Sequence, residues 1–251
     1  MQAFVDWLST LPAVQWLIDM GPRLHRAFIE GGRWKLYLQG LGTTLEMTVI
    51  ALIFGVVLGL IAAVVRTAHD QQRPGRRNPL LGFFNALCNL YTTIIRGTPM
   101  MVQLLIWSFV IFKTSRNKVM VGIIGLGINS GAYVAEIIRG GLMSVDAGQS
   151  EAGRSLGLNY FDTMRFIVIP QAFKNILPSL GNEFITLFKD TSLAQAIGGA
   201  EMLYYASTIG GRTFDYMPPL IGIALMYLSI VIVFTWLQGK LERRLRESDR
   251  R

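Results

Sequence analysis

From Met47 to Val65 the chain runs 19 residues without a charge, inside a wider apolar stretch that begins near Leu41. A helix needs about 20 apolar residues to cross the hydrocarbon layer of a membrane. No water there can satisfy backbone N–H and C=O groups, so the run has to close its hydrogen bonds within itself. Met217–Gly239 is a second charge-free run, 23 residues long. These two stretches restrict the chain to an all-α integral membrane protein. Composition agrees, since 16% of the 251 residues are charged against about 25% in soluble domains, and the mean hydropathy is +0.41.

Charge patterning sets the expected topology. After the first run, Arg66, Arg73, Arg76 and Arg77 are offset by a single acid, Asp70. Basic loops are retained in the cytoplasm, which places this one inside and the N-terminus outside. Pro79 to Phe112 is apolar apart from Arg96 and is too long for one straight span. Two crossings there would put the basic C-terminal tail on the opposite side from Arg66–Arg77. The pattern therefore predicts one crossing, bent at Arg96-Gly97-Thr98-Pro99, where proline breaks the helix and the arginine reaches toward the polar boundary. The same four residues are also candidates for a ligand contact.

Val119 to Met143 makes a third span, Asn175 to about Gly199 a fourth and Met217 to Gly239 a fifth. Glu201, Arg212 and Asp215 leave the loop from Ala200 to Tyr216 with one net negative charge, as an external loop allows, whereas Lys240–Arg251 holds six basic and three acidic residues and belongs inside. About five membrane-spanning helices are expected within residues 38–239, ahead of a basic cytoplasmic tail at 240–251. Gly55 and Gly59, four residues apart, suit close packing of the first span against another helix of the chain.

Residues 1–37 read as a separate N-terminal segment, in which Trp, Leu and Ile alternate with Asp, Arg and Glu. The pattern predicts a short interfacial helix from about Phe4 to Met20, anchored by Trp7 and Trp16 and followed by a loop from Gly21-Pro22. Lacking a basic start and carrying Asp6 and Asp19, this segment is a poor signal peptide.

A net charge of +8 raises the question of nucleic acid. The basic residues flank apolar spans instead of forming one face with stacking aromatics, so no nucleic-acid partner is expected. The chain has two histidines, His25 and His69, and no HExxH pair. Its only Gly-Lys, at 239 and 240, is followed by Leu241, so a phosphate-cradling G-x-x-x-x-G-K-[ST] loop is missing. Cys88, alone among apolar neighbours, reads as a packed thiol. No catalytic residue, bound cofactor or metal is expected on this chain.

Ionisable groups inside lipid are costly and tend to face a bundle interior, a cavity or a partner. Glu136, Asn182, Glu183, Lys189, Asp190, Thr191 and Ser192 are therefore candidates to line a path through the membrane. The alternative is structural: Lys189 and Asp190 neutralise each other, and Glu136 pairs with Arg139 at helical i, i+3 spacing. The two hydroxyls of Thr191 and Ser192 can replace backbone bonds where a helix unwinds.

Between the third and fourth spans lies a polar passage with helical texture, Glu151 to Pro170. Gly157 suits the left-handed position that closes one short helix, and Asn159, three residues before Asp162, suits the cap that opens a second. Two short helices at an angle are expected, ending near Pro170.

Glu151-Ala152-Gly153, Gly157 and Ile167-Val168-Ile169-Pro170 resemble the cytoplasmic coupling loop of ABC importer permeases, whose usual pattern is Glu-Ala-Ala, three residues, Gly, nine residues, Ile-x-Leu-Pro. Gly153 stands where Ala is usual and Ile169 where Leu is usual. Arg96-Gly97-Thr98-Pro99, Gly131 through Gly141 and Lys189-Asp190-Thr191-Ser192-Leu193 extend the resemblance to the polar amino-acid branch of that family.

The resemblance implies a type I importer transmembrane fold with a coupling loop at 144–174. It implies docking of ABC ATPase subunits through Glu151, Ala152, Gly153, Arg154, Gly157, Phe161, Arg165 and Pro170, with ATP and Mg held by those subunits. A second permease subunit and an extracytoplasmic substrate-binding protein complete the implied assembly, in the bacterial inner membrane. Two other classes stay open from the residues alone. An ion-coupled secondary transporter would use Glu136, Glu183 or Asp190 as its ion site, and a membrane scaffold would have no path.

Overall fold

The computed structural model describes residues 12–72 and 78–247. The early part of the expected interfacial helix, with Trp7, lies outside them. What is described is helix α1 (Pro12–Phe28), which does not stop at Gly21-Pro22. It is held from outside: Arg23 donates to both oxygens of Asp215 at 2.6 and 2.7 Å, and Phe28 stacks on Tyr37 with ring centroids 4.8 Å apart.

A short 3-10 turn leads into α2 (Trp34–Asp70), 37 residues with the first apolar run at its centre. Helix α3 (Pro79–Gly97) is capped by Asn78, whose side-chain oxygen accepts from Leu80 N at 2.9 Å. Helix α4 (Met100–Ile106) continues as a π turn, Trp107–Ile111, and α5 (Lys118–Met143) follows. Then come α6 (Ala147–Ser155), α7 (Tyr160–Thr163), a π turn at Met164–Val168, and α8 (Ile169–Asp190). A 3-10 stretch, Thr191–Ile197, joins α8 to α9 (Met202–Thr213), and α10 (Met217–Glu247) closes the chain.

Among the described residues α2, α5 and α10 are each long and apolar enough to cross a membrane, and α3 with α4 qualifies as one further bent span. Helix α8 is long enough at 22 residues, but Lys174, Glu183, Lys189 and Asp190 make it more polar. The buried share of the apolar window, 67% for α5 against 6% for α10, puts α5 at the centre of the bundle and α10 at its edge.

The expected bend falls where α3 meets α4, at 108°. Pro99 has no N–H to give the Ile95 carbonyl, which leaves that oxygen without its helical partner. Gln103 fills the place, its Nε2 donating to Ile95 O at 2.7 Å and to Thr98 Oγ1 at 2.8 Å, while the Thr98 hydroxyl donates to Ile94 O at 2.9 Å. The corner is thus satisfied by its own side chains within an apolar setting.

Helices α2 and α5 meet backbone to backbone. A Cβ on Gly59 would lie 2.6 Å from Val134 Cγ1 and 2.9 Å from Ala135 N, and one on Gly55 2.9 Å from Ser130 Cβ. The expected small-residue packing is therefore internal to the chain. Gly59→Leu should destabilise the detergent-solubilised protein by about 1–3 kcal/mol through overpacking, read as a lower melting temperature. Gly42→Ala, where an added Cβ has nothing within 4 Å, should leave the melting temperature unchanged or slightly raised.

The Arg23–Asp215 pair gives a pH dependence. Hydrogen bonds from Arg23 hold the Asp215 carboxyl below the usual carboxylate range. Because its folded pKa is depressed, the pair's contribution is present above the ordinary carboxylate pKa and is lost as pH falls through the lowered value. Hydrogen exchange of the α1 amides should be protected between about pH 5 and 8 and lose that protection only below about pH 4. Asp215→Asn should remove it at pH 7.

Candidate functional site

The Glu151–Pro170 passage folds as two short helices. Asp146 caps α6, its Oδ1 accepting from Gly148 N at 2.6 Å. The far end closes at Gly157, with φ at +86°. There Leu158 N donates to Gly153 O at 3.1 Å and Gly157 N to Arg154 O at 3.0 Å, a Schellman ending that satisfies the last carbonyls. Asn159 opens α7, accepting from Asp162 N at 2.9 Å.

Gly153, the departure from the usual Ala, is buried where the two helices touch. A Cβ there would lie 2.9 Å from Ile167 Cδ1 and 3.2 Å from Thr163 Cγ2. The glycine lets α6 lie against the π turn. Glu151, Ala152, Arg154, Gly157, Phe161, Arg165 and Pro170 are all exposed. Leu156 (83% exposed), Tyr160, Phe161 and Phe166 present a cluster of uncovered apolar side chains on this passage, the composition of a surface made to be covered.

The expected ending near Pro170 does not occur. The backbone stays helical from Tyr160 through the π turn into α8, and Pro170 sits in the first turn of α8, where a missing N–H costs little. The second of the two short helices is therefore continuous with α8.

The intramembrane charges are paired across helices. Glu136 does not pair with Arg139 as the i, i+3 spacing suggests. It accepts from Arg66 of α2 and lies 3.8 Å from Arg96 Nη1 of α3, whose guanidinium also sits over the Tyr133 ring at 5.4 Å. Arg139 instead donates to Asp70 at 2.9 Å. Glu183 on α8 accepts from Ser130 Oγ of α5 at 2.8 Å, and Asn182 accepts from Gln238 of α10 at 3.0 Å.

Helix α8 ends at Asp190, where the chain tightens into the 3-10 stretch. The Thr191 hydroxyl donates to Phe188 O at 2.7 Å, within this turn. Lys189 is exposed, Asp190 and Ser192 are half-buried and Thr191 is buried. The chain brings Glu183, Asp190, Thr191 and Ser192 onto one end of α8 and the turn after it. Glu136 belongs to a separate cluster with Arg66 and Arg96, and the bend at Arg96–Pro99 is next to that second cluster.

Sequence reasoning missed Ser130, Gln103 and, above all, Glu201. Glu201 reads as a loop residue outside the membrane but is completely buried. A carboxylate directly before an apolar helix start is the local signal of a cap. Its burial has no local signal.

Central bundle, broken span and two-helix passage define an importer-type membrane subunit, and comparison with known proteins agrees. Residues 78–247 match the family described as the binding-protein-dependent transport system inner membrane component. The arginine transport system permease protein ArtQ of Bacillus subtilis is 34% identical over 215 residues, covering 84% of this chain and 93% of that protein. The L-cystine transport system permease protein TcyB of the same organism is 34% identical, covering 95% of this chain and 97% of that protein.

Among solved structures, an amino acid ABC transporter crystallised with histidines superposes with a TM-score of 0.75 at 39% identity, over 84% of this chain and 94% of that one. The MetNI methionine transporter, at 19% identity and a TM-score of 0.71, shares the fold. The chain belongs to the binding-protein-dependent transport system inner membrane component family: it is a permease subunit of an ABC importer.

Proposed function

We propose that this chain is the permease subunit of an ATP-driven importer of polar amino acids. Two copies, or one copy and a related permease, enclose the path. ABC ATPase subunits carry ATP and Mg and grip the Glu151–Pro170 passage from the cytoplasm, and a substrate-binding protein delivers the amino acid from outside. The chain sits in the bacterial inner membrane with its N-terminus outside and its C-terminus inside. Substrate class rests on the relatives, whose names give arginine, cystine and, for a Rickettsia prowazekii protein at 35% identity, glutamine.

One observation carries the coupling reading: from Tyr160, with Phe161 and Phe166 exposed, the helix runs without a break through α8 to Glu183 and Asp190. When the ATPases close, they pull on the passage, and α8 carries the displacement to the path. That transfer requires the ATPases to bind one arrangement of the passage more tightly than the other. In the path, the Glu183 carboxylate is the partner for the substrate ammonium group. The half-buried Ser192 hydroxyl, on the turn that Thr191 holds, faces the substrate carboxylate.

Two measurements test this. Gly157→Val places a β-branched side chain at φ +86°, a strain of at least about 1–2 kcal/mol. It should leave membrane insertion intact while lowering recovery of an ATPase subunit in pull-downs from native membranes, and wild-type recovery would overturn the docking assignment. Glu183→Gln should raise the KM for uptake of the preferred amino acid about tenfold in proteoliposomes holding the complete importer, the loss of one charge-assisted hydrogen bond. An unchanged KM across a panel of polar amino acids would remove Glu183 from the path.

A further inference from the structure

Glu201 precedes α9 in the connection between the end of α8 and α10, and it is 0% exposed. Its carboxylate accepts from Leu203 N and Tyr204 N, both at 2.8 Å, which makes it the N-cap of α9. Capping alone does not account for a glutamate here. A cap contributes about 1 kcal/mol and Ser or Asn supplies it without a charge, whereas burying an ion costs several kcal/mol after relaxation. The carboxylate's third partner is on another helix: Tyr227 of α10 donates its hydroxyl to Oε2 at 3.1 Å.

Tyr227 is where the contacts converge. Its ring packs edge-on against Phe188 at 5.3 Å, and the Phe188 carbonyl accepts the hydroxyl of Thr191 at 2.7 Å, a residue that is 0% exposed. Thr44 of α2 in turn accepts from Met202 N at 3.3 Å. A Cβ on Gly40 would lie 2.9 Å from Met202 Cα, so α9 rests directly on α2. Buried polar bonds thus join α2, α9 and α10, and Phe188, packed on Tyr227, ties them to Thr191 of the Asp190–Ser192 turn.

We propose that Glu201 is a positioning residue for substrate: through Tyr227 it fixes the Asp190–Ser192 turn in the orientation that receives the amino acid. The assignment rests on the reading of that turn as part of the path. Glu201 itself does not touch substrate. Its carboxylate accepts a hydrogen bond from the Tyr227 hydroxyl, which fixes the ring against Phe188, whose carbonyl holds the Thr191 hydroxyl. Glutamine has one acceptor oxygen where the carboxylate has two, so it cannot accept from Leu203 N, Tyr204 N and Tyr227 together without turning an N–H donor onto one of them.

The test is amino-acid uptake by proteoliposomes holding the complete importer, with KM and maximal rate measured separately and normalised to assembled complex. The variants are Glu201→Gln, Tyr227→Phe, both together, and Glu183→Gln as a comparator. Glu201→Gln and Tyr227→Phe are each expected to raise KM about tenfold with a smaller change in maximal rate. The double variant should be no worse than the worse single one, because the two act through one chain of contacts.

If Glu201→Gln does not assemble, Tyr227→Phe carries the same expectation. A purely structural cap would lower the amount of assembled complex and leave KM unchanged, and that result overturns the proposal. Unchanged KM at Glu201 and Tyr227 with a raised KM at Glu183 would overturn the positioning role alone. Unchanged KM in all variants would overturn both it and the path.

Discussion

The whole bundle depends on how closely α2 and α5 approach. Between helices in lipid there is little hydrophobic drive, since the tails are as apolar as the side chains, and contact has to come from van der Waals fit and polar bonds. Gly55 and Gly59 on one side, with Ser130, Val134 and Ala135 on the other, bring the two backbones together. Gly127 and Gly131 continue the seam on α5. With α5 set at this distance, Arg66 of α2 reaches Glu136, and Ser130 is left facing Glu183 of α8. The polar interior is arranged along that seam.

Several costly groups in the bundle are met by one from a different element. Asp70 takes Arg139, Glu136 takes Arg66 and Arg96, and the carbonyl orphaned by Pro99 takes Gln103. These bonds do two things at once: they lower the cost of polarity in an apolar setting and they join helices that apolar contact alone would hold loosely. The pairings are long in sequence, Arg66 to Glu136 being 70 residues apart. The interior is therefore specified by the fold more than by any local stretch.

That difference separates what could be read from the residues from what could not. Gly157 and Asn159 were legible because left-handed closure and an Asn cap are settled within a few residues, and both are present. The bend at Thr98-Pro99 was legible because proline's missing N–H acts locally. The Glu136–Arg139 spacing misled, since a guanidinium on a neighbouring helix competes better than one a turn away. The helical course of α1 through Pro22, and of α7 into α8 through Pro170, depended on contacts and on a π turn that composition does not announce. The role of Gly153 was not legible, because Ile167 and Thr163 come to lie against it only in the folded passage. Glu201 was the largest gap, because burial of a charged cap is visible only once α2 and α10 close around it.

The unbroken helical course from α7 into α8 makes that segment a rod. At 22 residues α8 is about 33 Å long, so a tilt of about 10° at its α7 end would sweep the other end through about 6 Å. Such a stroke is comparable to the size of an amino acid. Gln238 of α10, donating to Pro178 O at 3.2 Å and to Asn182 at 3.0 Å, grips the rod near its middle. That grip sits where a fulcrum would divide the stroke, with the lever arms set by the position of Pro178 along α8.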